Sequence, residues 1–228
     1  MKKDLLLLHG ALGTKNQYKS LIPLLEDSFD LHCFNFEGHG GRATNADYSI
    51  DLFSENVIDY MRLNNLNGIP VFGYSMGGYV ALNATIQNTG LFSKVLTLGT
   101  KFNWTPESAA KEIKMLNPKL IQEKIPHFAA KLANDHTPLN WEDVMNKTAQ
   151  MMSNLGNGLA LTEAKFLEIS VPVHLGIGSN DTMVSVEETK QINEWLPNSK
   201  LHLLEDAPHP IEKASPKKIA TYIINSLS

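Results

Sequence analysis

The chain has 228 residues, 43% of them apolar and 19% charged, with a formal net charge of −4 and no basic block. That balance argues against nucleic acid or an anionic membrane surface as partners. The length suits one domain with a large core and room for one insertion.

Residues 5–8 are four leucines behind Lys2, Lys3 and Asp4. The run is too short for the core of a secretion signal, which needs about seven apolar residues or more, so it is expected to be a buried strand. The spacing predicts a helix over 17–25 and a strand over 31–36. That strand holds Cys33, the only cysteine. It cannot form an internal disulfide, no Cys/His cluster has zinc spacing, and a reducing, cytoplasmic setting is the expectation. A helix over 52–63 with Ser49 as its cap follows, then a strand over 71–73, a helix over 76–88 and a strand over 95–98.

The alternation breaks at Lys101. From there to about residue 168 the pattern is helical, punctuated by Pro106, Pro118, Pro126 and Pro138. It resumes with a strand over 171–177, a helix over 186–196, a strand over 200–204 and a helix over 217–227. Ser215 is the expected cap of that last helix, with Pro216 in its first position. Several of the strands are near-continuous apolar runs, as in parallel sheets buried on both faces. The fold class is α/β: a mostly parallel open sheet of about six strands, helices on both faces and a helical cap. Residues 1–100 and 169–228 form the expected core, and 101–168 the cap insertion. There is no repeat and no low-complexity linker.

The stretch Pro70-Val71-Phe72-Gly73-Tyr74-Ser75-Met76-Gly77-Gly78 carries the strongest chemical signal. It reads as strand, Gly-x-Ser-x-Gly, then helix. A serine hydroxyl becomes a useful nucleophile only when it is exposed, beside a base and near donors for an oxyanion. A tight strand-to-helix turn places Ser75 that way, and Gly73 and Gly77 keep the turn uncrowded.

A serine nucleophile needs a base, and the base needs an orienting acid. Asp181 is the first carboxylate after the strand at 171–177, and alone it would be read as a turn or capping residue. His209 follows the strand at 200–204 between Pro208 and Pro210, and alone it would be a surface histidine. Together with Ser75 they follow the order Ser…Asp…His on loops after successive strands. The oxyanion donors are expected to be the N–H groups of Met76 and Ala11, with Leu12 the near alternative to Ala11. The loop after the first strand lacks the Lys-Ser/Thr of a phosphate-binding loop.

These residues resemble the α/β-hydrolase fold superfamily, and within it a small serine hydrolase with a Ser-Asp-His triad and helical cap. The resemblance covers nearly the whole chain. It rests on His9-Gly10, Asn35-Phe36-Glu37-Gly38-His39-Gly40, Gly73 to Gly78, Asp181 and His209. Members usually have eight strands, so the resemblance implies a minimal core lacking the first two. They often carry Asp where this chain has Asn35, a position that is structural in most members. His9 and His39 are then expected to be scaffold histidines.

The expected chemistry is hydrolysis of a small or medium ester or thioester through an acyl-enzyme, with no metal or organic cofactor. Alternatives within the fold are a triad-dependent lyase, a carbon–carbon hydrolase, and a non-catalytic receptor for a small ligand. Lyases that clamp a polycarboxylate use several arginines, whereas this chain has only Arg42 and Arg62. The substrate is expected to meet Phe102, Trp104, Phe128, Met151 and Met152, with Trp141 and Leu155 as further candidates for an adaptable apolar wall. His127 and His136 are expected at the surface or at helix ends, and Gly156 and Gly158 at a hinge or a helix end. The partner is a small molecule, and the protein a monomer or homodimer.

Overall fold

The computed structural model describes residues 2–228. Its centre is a sheet of six parallel strands: β1 (Lys3–Leu8), β2 (Phe29–Cys33), β3 (Ile69–Tyr74), β4 (Phe92–Leu98), β5 (Val173–Asn180) and β6 (Ser199–Pro208). Their spatial order is β2-β1-β3-β4-β5-β6, and every adjacent pair is parallel. The α/β fold expected from the sequence is therefore present.

The leucines of β1 show how the layers form. Successive side chains on a strand point to opposite faces. Leu6 and Leu8 join a core built with α2 (Ile50–Leu63) and α3 (Met76–Gln87). Leu5 and Leu7 join the core on the other face, built with α10 (Pro216–Leu227). All four are fully buried, so a purely apolar run is what this position requires. Val71 and Phe72 divide between the same two cores.

Two elements differ from expectation. The second strand is Phe29–Cys33, not 31–36. Phe34 and Phe36 leave the sheet and stack on helix α2 instead, with ring centroids 4.5 Å from Tyr60 and 5.1 Å from Phe53. The helix expected over 17–25 is a 3₁₀ turn at Lys15–Tyr18 and a short α1 (Ile22–Leu25). Pro23 lies in the first turn of α1, where a missing N–H costs nothing.

Between β4 and β5 come α4 (Pro106–Ile113), α5 (Pro118–Lys124), α6 (Pro126–His136), α7 (Trp141–Asn154) and α8 (Glu163–Leu167). Pro106, Pro118 and Pro126 each begin a helix, as the fixed φ of proline favours. Thr105, Asn117 and Asn140 accept backbone N–H groups as caps. Helices α5, α6 and α7 share a small core of Ile121, Ala129, Leu132 and Met145. After β5, α9 (Val186–Trp195) starts from a Ser185/Glu188 capping box. Among the described residues, no helix is long and apolar enough to cross a membrane.

Candidate active site

The turn at Ser75 is built by what cannot be there. Ser75 holds φ 52° and ψ −119°, in a region that costs a non-glycine residue roughly 1–3 kcal/mol. Its N–H donates to the Leu98 carbonyl at 2.8 Å, and its own carbonyl accepts from Thr100 Oγ1 at 2.9 Å. A Cβ on Gly73 would lie 2.4 Å from the Gly77 carbonyl carbon, and one on Gly77 would lie 2.1 Å from the Leu8 carbonyl oxygen. The strand, turn and helix can approach this closely only with glycine at both positions.

Ser75 Oγ lies 3.3 Å from His209 Nε2, and His209 Nδ1 donates to Asp181 Oδ2 at 2.8 Å. Asp181 is oriented by its other oxygen, which accepts the N–H groups of Met183 and Val184 at 2.9 and 2.8 Å. β5 and β6 run past their expected ends, to Asn180 and Pro208, and so deliver Asp181 and His209 side by side. Sequence reading missed three supports. Tyr74 OH donates to the His209 carbonyl at 2.8 Å. Thr100 holds the Ser75 carbonyl. Gly99, at φ +60°, leaves open the space beside the His209 and Asp181 side chains. Tyr74 belongs to the Gly-Tyr-Ser stretch itself; Thr100 and Gly99 carry no comparable signal in the sequence.

The loop after β1 faces the turn. Gly13 N–H donates to the Gly10 carbonyl at 3.1 Å, closing a turn in which Leu12 takes φ 57°. Among the described residues, neither Ala11 N–H nor Leu12 N–H donates to a protein acceptor. Met76 N–H belongs to the first turn of α3, where helix donors have no partner within the helix. Ala11 and Met76 line the same cavity as Ser75 and His209.

His9 and His39 are buried away from this cluster. His9 Nδ1 donates to the Gly10 carbonyl at 2.9 Å, and its Nε2 accepts the Phe36 N–H at 3.2 Å. Burial lowers its pKa to about 4, so it is a neutral brace. His39 donates to the Glu37 carbonyl, and burial holds its pKa well below the usual value. His136 departs from expectation. It is fully buried, accepts the Gly40 N–H on Nδ1 and donates from Nε2 to the Leu12 carbonyl, both at 3.1 Å. His127 is exposed, as expected.

The cavity measures about 600 Å³. Trp104, Phe128, Met151, Met152 and Leu155 line it as expected, joined by Ile121 and Ile125. Phe102 does not. It is buried with its ring centroid 6.1 Å from Tyr79 and 5.8 Å from Phe166, filling the seam between α3 and α8. Trp141 packs into the small core of the helical segment instead. A Cβ on Gly156 would meet Ala109 Cβ at 2.6 Å and Thr105 O at 2.8 Å, so this glycine serves close helix packing. Gly158 takes φ 103° where the helix ends, a conformation that favours glycine.

The sequence matches the family model of the alpha/beta hydrolase fold over residues 4–211. It is 22% identical to the uncharacterized hydrolase YugF of Bacillus subtilis over 97% of this chain and 89% of that protein. It is 23% identical to the human monoacylglycerol lipase ABHD6 over 100% of this chain and 76% of the relative. A thermophilic esterase from Thermogutta terrifontis superposes with a TM-score of 0.80 at 17% identity, covering 100% of this chain and 90% of its own. The strand order, the tight turn at Ser75 and the match over nearly the whole sequence agree: the chain belongs to the alpha/beta hydrolase fold family.

Proposed function

We propose that the protein is a serine hydrolase that cleaves small or medium ester or thioester substrates through an acyl-enzyme. The observation that carries the reading is the unbroken line from Ser75 Oγ through His209 to Asp181, opening into a largely apolar cavity. Ser75 Oγ attacks the carbonyl carbon while His209 Nε2 takes its proton. Asp181 holds the Nδ1–H tautomer and stabilises the imidazolium. The N–H groups of Met76 and Ala11 receive the developing oxyanion. His209 then gives its proton to the leaving alcohol or thiol. Water, deprotonated by His209, releases the acid and restores Ser75.

In this reading residues 101–168 act as a cap whose Trp104, Phe128, Met151 and Met152 cover the substrate. The relatives' names, hydrolases and a monoacylglycerol lipase, support ester hydrolysis. An arginine clamp for a polycarboxylate has no counterpart in the cavity wall. Arg42 bonds Asn35 O and Glu37, and Arg62 bonds Asp59.

The test is hydrolysis of p-nitrophenyl acetate, butyrate and octanoate by wild type and Ser75→Ala. Activity that vanishes with Ser75 supports the reading. A Ser75→Ala protein as active as wild type refutes it.

A further inference from the structure

The wall of the cavity holds a charged side chain that the serine mechanism does not use. Lys101 lies in the loop after β4, and its side chain is only 9% exposed. Its ammonium is 3.6 Å from Glu112 Oε1 and 3.9 Å from Glu188 Oε2. Both contacts are longer than a hydrogen bond. Among the described residues, no protein acceptor takes any of its N–H donors at hydrogen-bond distance. Glu188 is engaged elsewhere: its Oε1 accepts Phe102 N–H at 2.9 Å and Asn103 N–H at 3.2 Å, and its Oε2 accepts Ser185 N–H at 3.2 Å. Glu112, equally buried, has Lys101 as its ionic partner.

Lys101 and Glu112 both line the cavity. Burying an ammonium is costly unless nearby acceptors replace the water it loses. Here the carboxylates stop short of hydrogen-bond distance, in a residue that lines the cavity. The ammonium also lies over the Trp104 ring, with Nζ 5.8 Å from its centroid.

The loop that carries Lys101 starts beside the base. Gly99, two residues before Lys101, sits against the base: a Cβ there would be 3.1 Å from Asp181 Oδ2 and 3.5 Å from His209 Cε1. Thr100, between them, holds the Ser75 carbonyl. In ester cleavage the leaving alcohol must face the base that protonates it. The apolar wall of Ile121, Ile125, Phe128 and Met152 is then left for the acyl chain.

We infer that Lys101 and Glu112 form a polar subsite for the alcohol half of the ester, and that this alcohol is neutral and carries further hydroxyl groups. Charge separates hydroxyls from a carboxylate. Lys101 is offset by Glu112 and Glu188. The remaining cation of the wall is the exposed Lys111, which water screens. There is no excess of positive charge to hold an anion. A hydroxyl both donates and accepts, so it takes a bond from Lys101 and gives one to Glu112. The assignment of the alcohol half rests on the serine mechanism proposed above.

The test compares 1-mono-octanoylglycerol with methyl octanoate, which share an acyl chain and differ in the alcohol. Wild type is expected to prefer the glycerol ester in kcat/KM. The Lys101→Met/Glu112→Gln double variant removes the pair without stranding either charge. It is expected to lower the glycerol-to-methyl ratio by about tenfold or more. The isosteric Glu112→Gln variant, expected to lower the same ratio, is the second reading should the double variant not fold. Calorimetric binding of both esters to Ser75→Ala reads the preference without turnover. A Ser75→Ala protein that binds the glycerol ester no tighter than the methyl ester overturns the subsite, as does a ratio unchanged in the folded variants. Turnover by Ser75→Ala defeats the serine mechanism instead, a separate result.

Discussion

His136 joins the helical segment to the loop that faces Ser75: its Nε2–H donates to the Leu12 carbonyl at 3.1 Å. Its Nδ1 accepts the Gly40 N–H, so one buried imidazole ties α6 to the loops after β1 and β2. Replacing it with alanine leaves a donor and an acceptor unpaired. His136→Ala is expected to lose about 3 kcal/mol of stability, read from urea unfolding with an unchanged m-value. A loss under about 0.5 kcal/mol would show that the bridge is ornamental.

The buried histidines make stability depend on pH. Burial lowers the pKa of His9 to about 4, and moves those of His39 and His136 downward as well. Burial favours their neutral forms in the fold, while the unfolded chain takes up protons below about 6.5. The unfolded state therefore binds more protons in that window, and stability falls as pH drops from about 6.5 towards 4, flattening once the folded groups titrate. His9 alone accounts for roughly 3 kcal/mol across it. Melting temperatures are expected to fall steadily from pH 7 to pH 5; a flat profile contradicts the buried neutral cluster.

Gly77 permits the helix after Ser75 to press on β1. A methyl group there would meet the Leu8 carbonyl oxygen at 2.1 Å, backbone that cannot swing aside. Gly77→Ala is expected to cost on the order of 2–3 kcal/mol and to disturb the Ser75 turn, with kcat on p-nitrophenyl butyrate falling more than KM rises. Wild-type stability and kcat in this variant would refute the packing argument.

Asn35 uses both ends of its amide. Oδ1 accepts the Lys15 N–H at 2.8 Å, and Nδ2 donates to the Gly40 carbonyl at 3.0 Å. Aspartate at this place would keep the first bond and set a carboxylate oxygen against a carbonyl in the second. Asn35→Asp is expected to destabilise by about 1–2 kcal/mol at pH 7, checked by chemical denaturation. A gain in stability would be the contrary result.

What could be read from the sequence was local. Ser75, Asp181 and His209 stand out because a turn of fixed spacing and a chain order mark them, and the structure brings their side chains within reach of one another. The inner strands β1, β3, β4 and β5 stand out because their apolar runs are mostly buried, while the edge strands β2 and β6 are only partly covered. What escaped depends on groups far apart in sequence. His136 bonds backbone atoms 96 and 124 residues away, which no periodicity records. Phe102 and Trp104 look alike as aromatic residues in one loop, yet one turns into the α3–α8 seam and the other into the cavity. Phe34 and Phe36 extend the apolar run of β2, but the rings on α2 draw them off the sheet.

The central claim is that Ser75 is a nucleophile activated by His209. The most direct measurement is incubation with a fluorophosphonate at neutral pH, followed by mass spectrometry of the intact protein and its peptides. One adduct is expected, on the peptide containing Ser75, absent in Ser75→Ala and strongly slowed in His209→Ala. A folded wild-type protein that takes up no label, or takes it equally in Ser75→Ala, would contradict the claim.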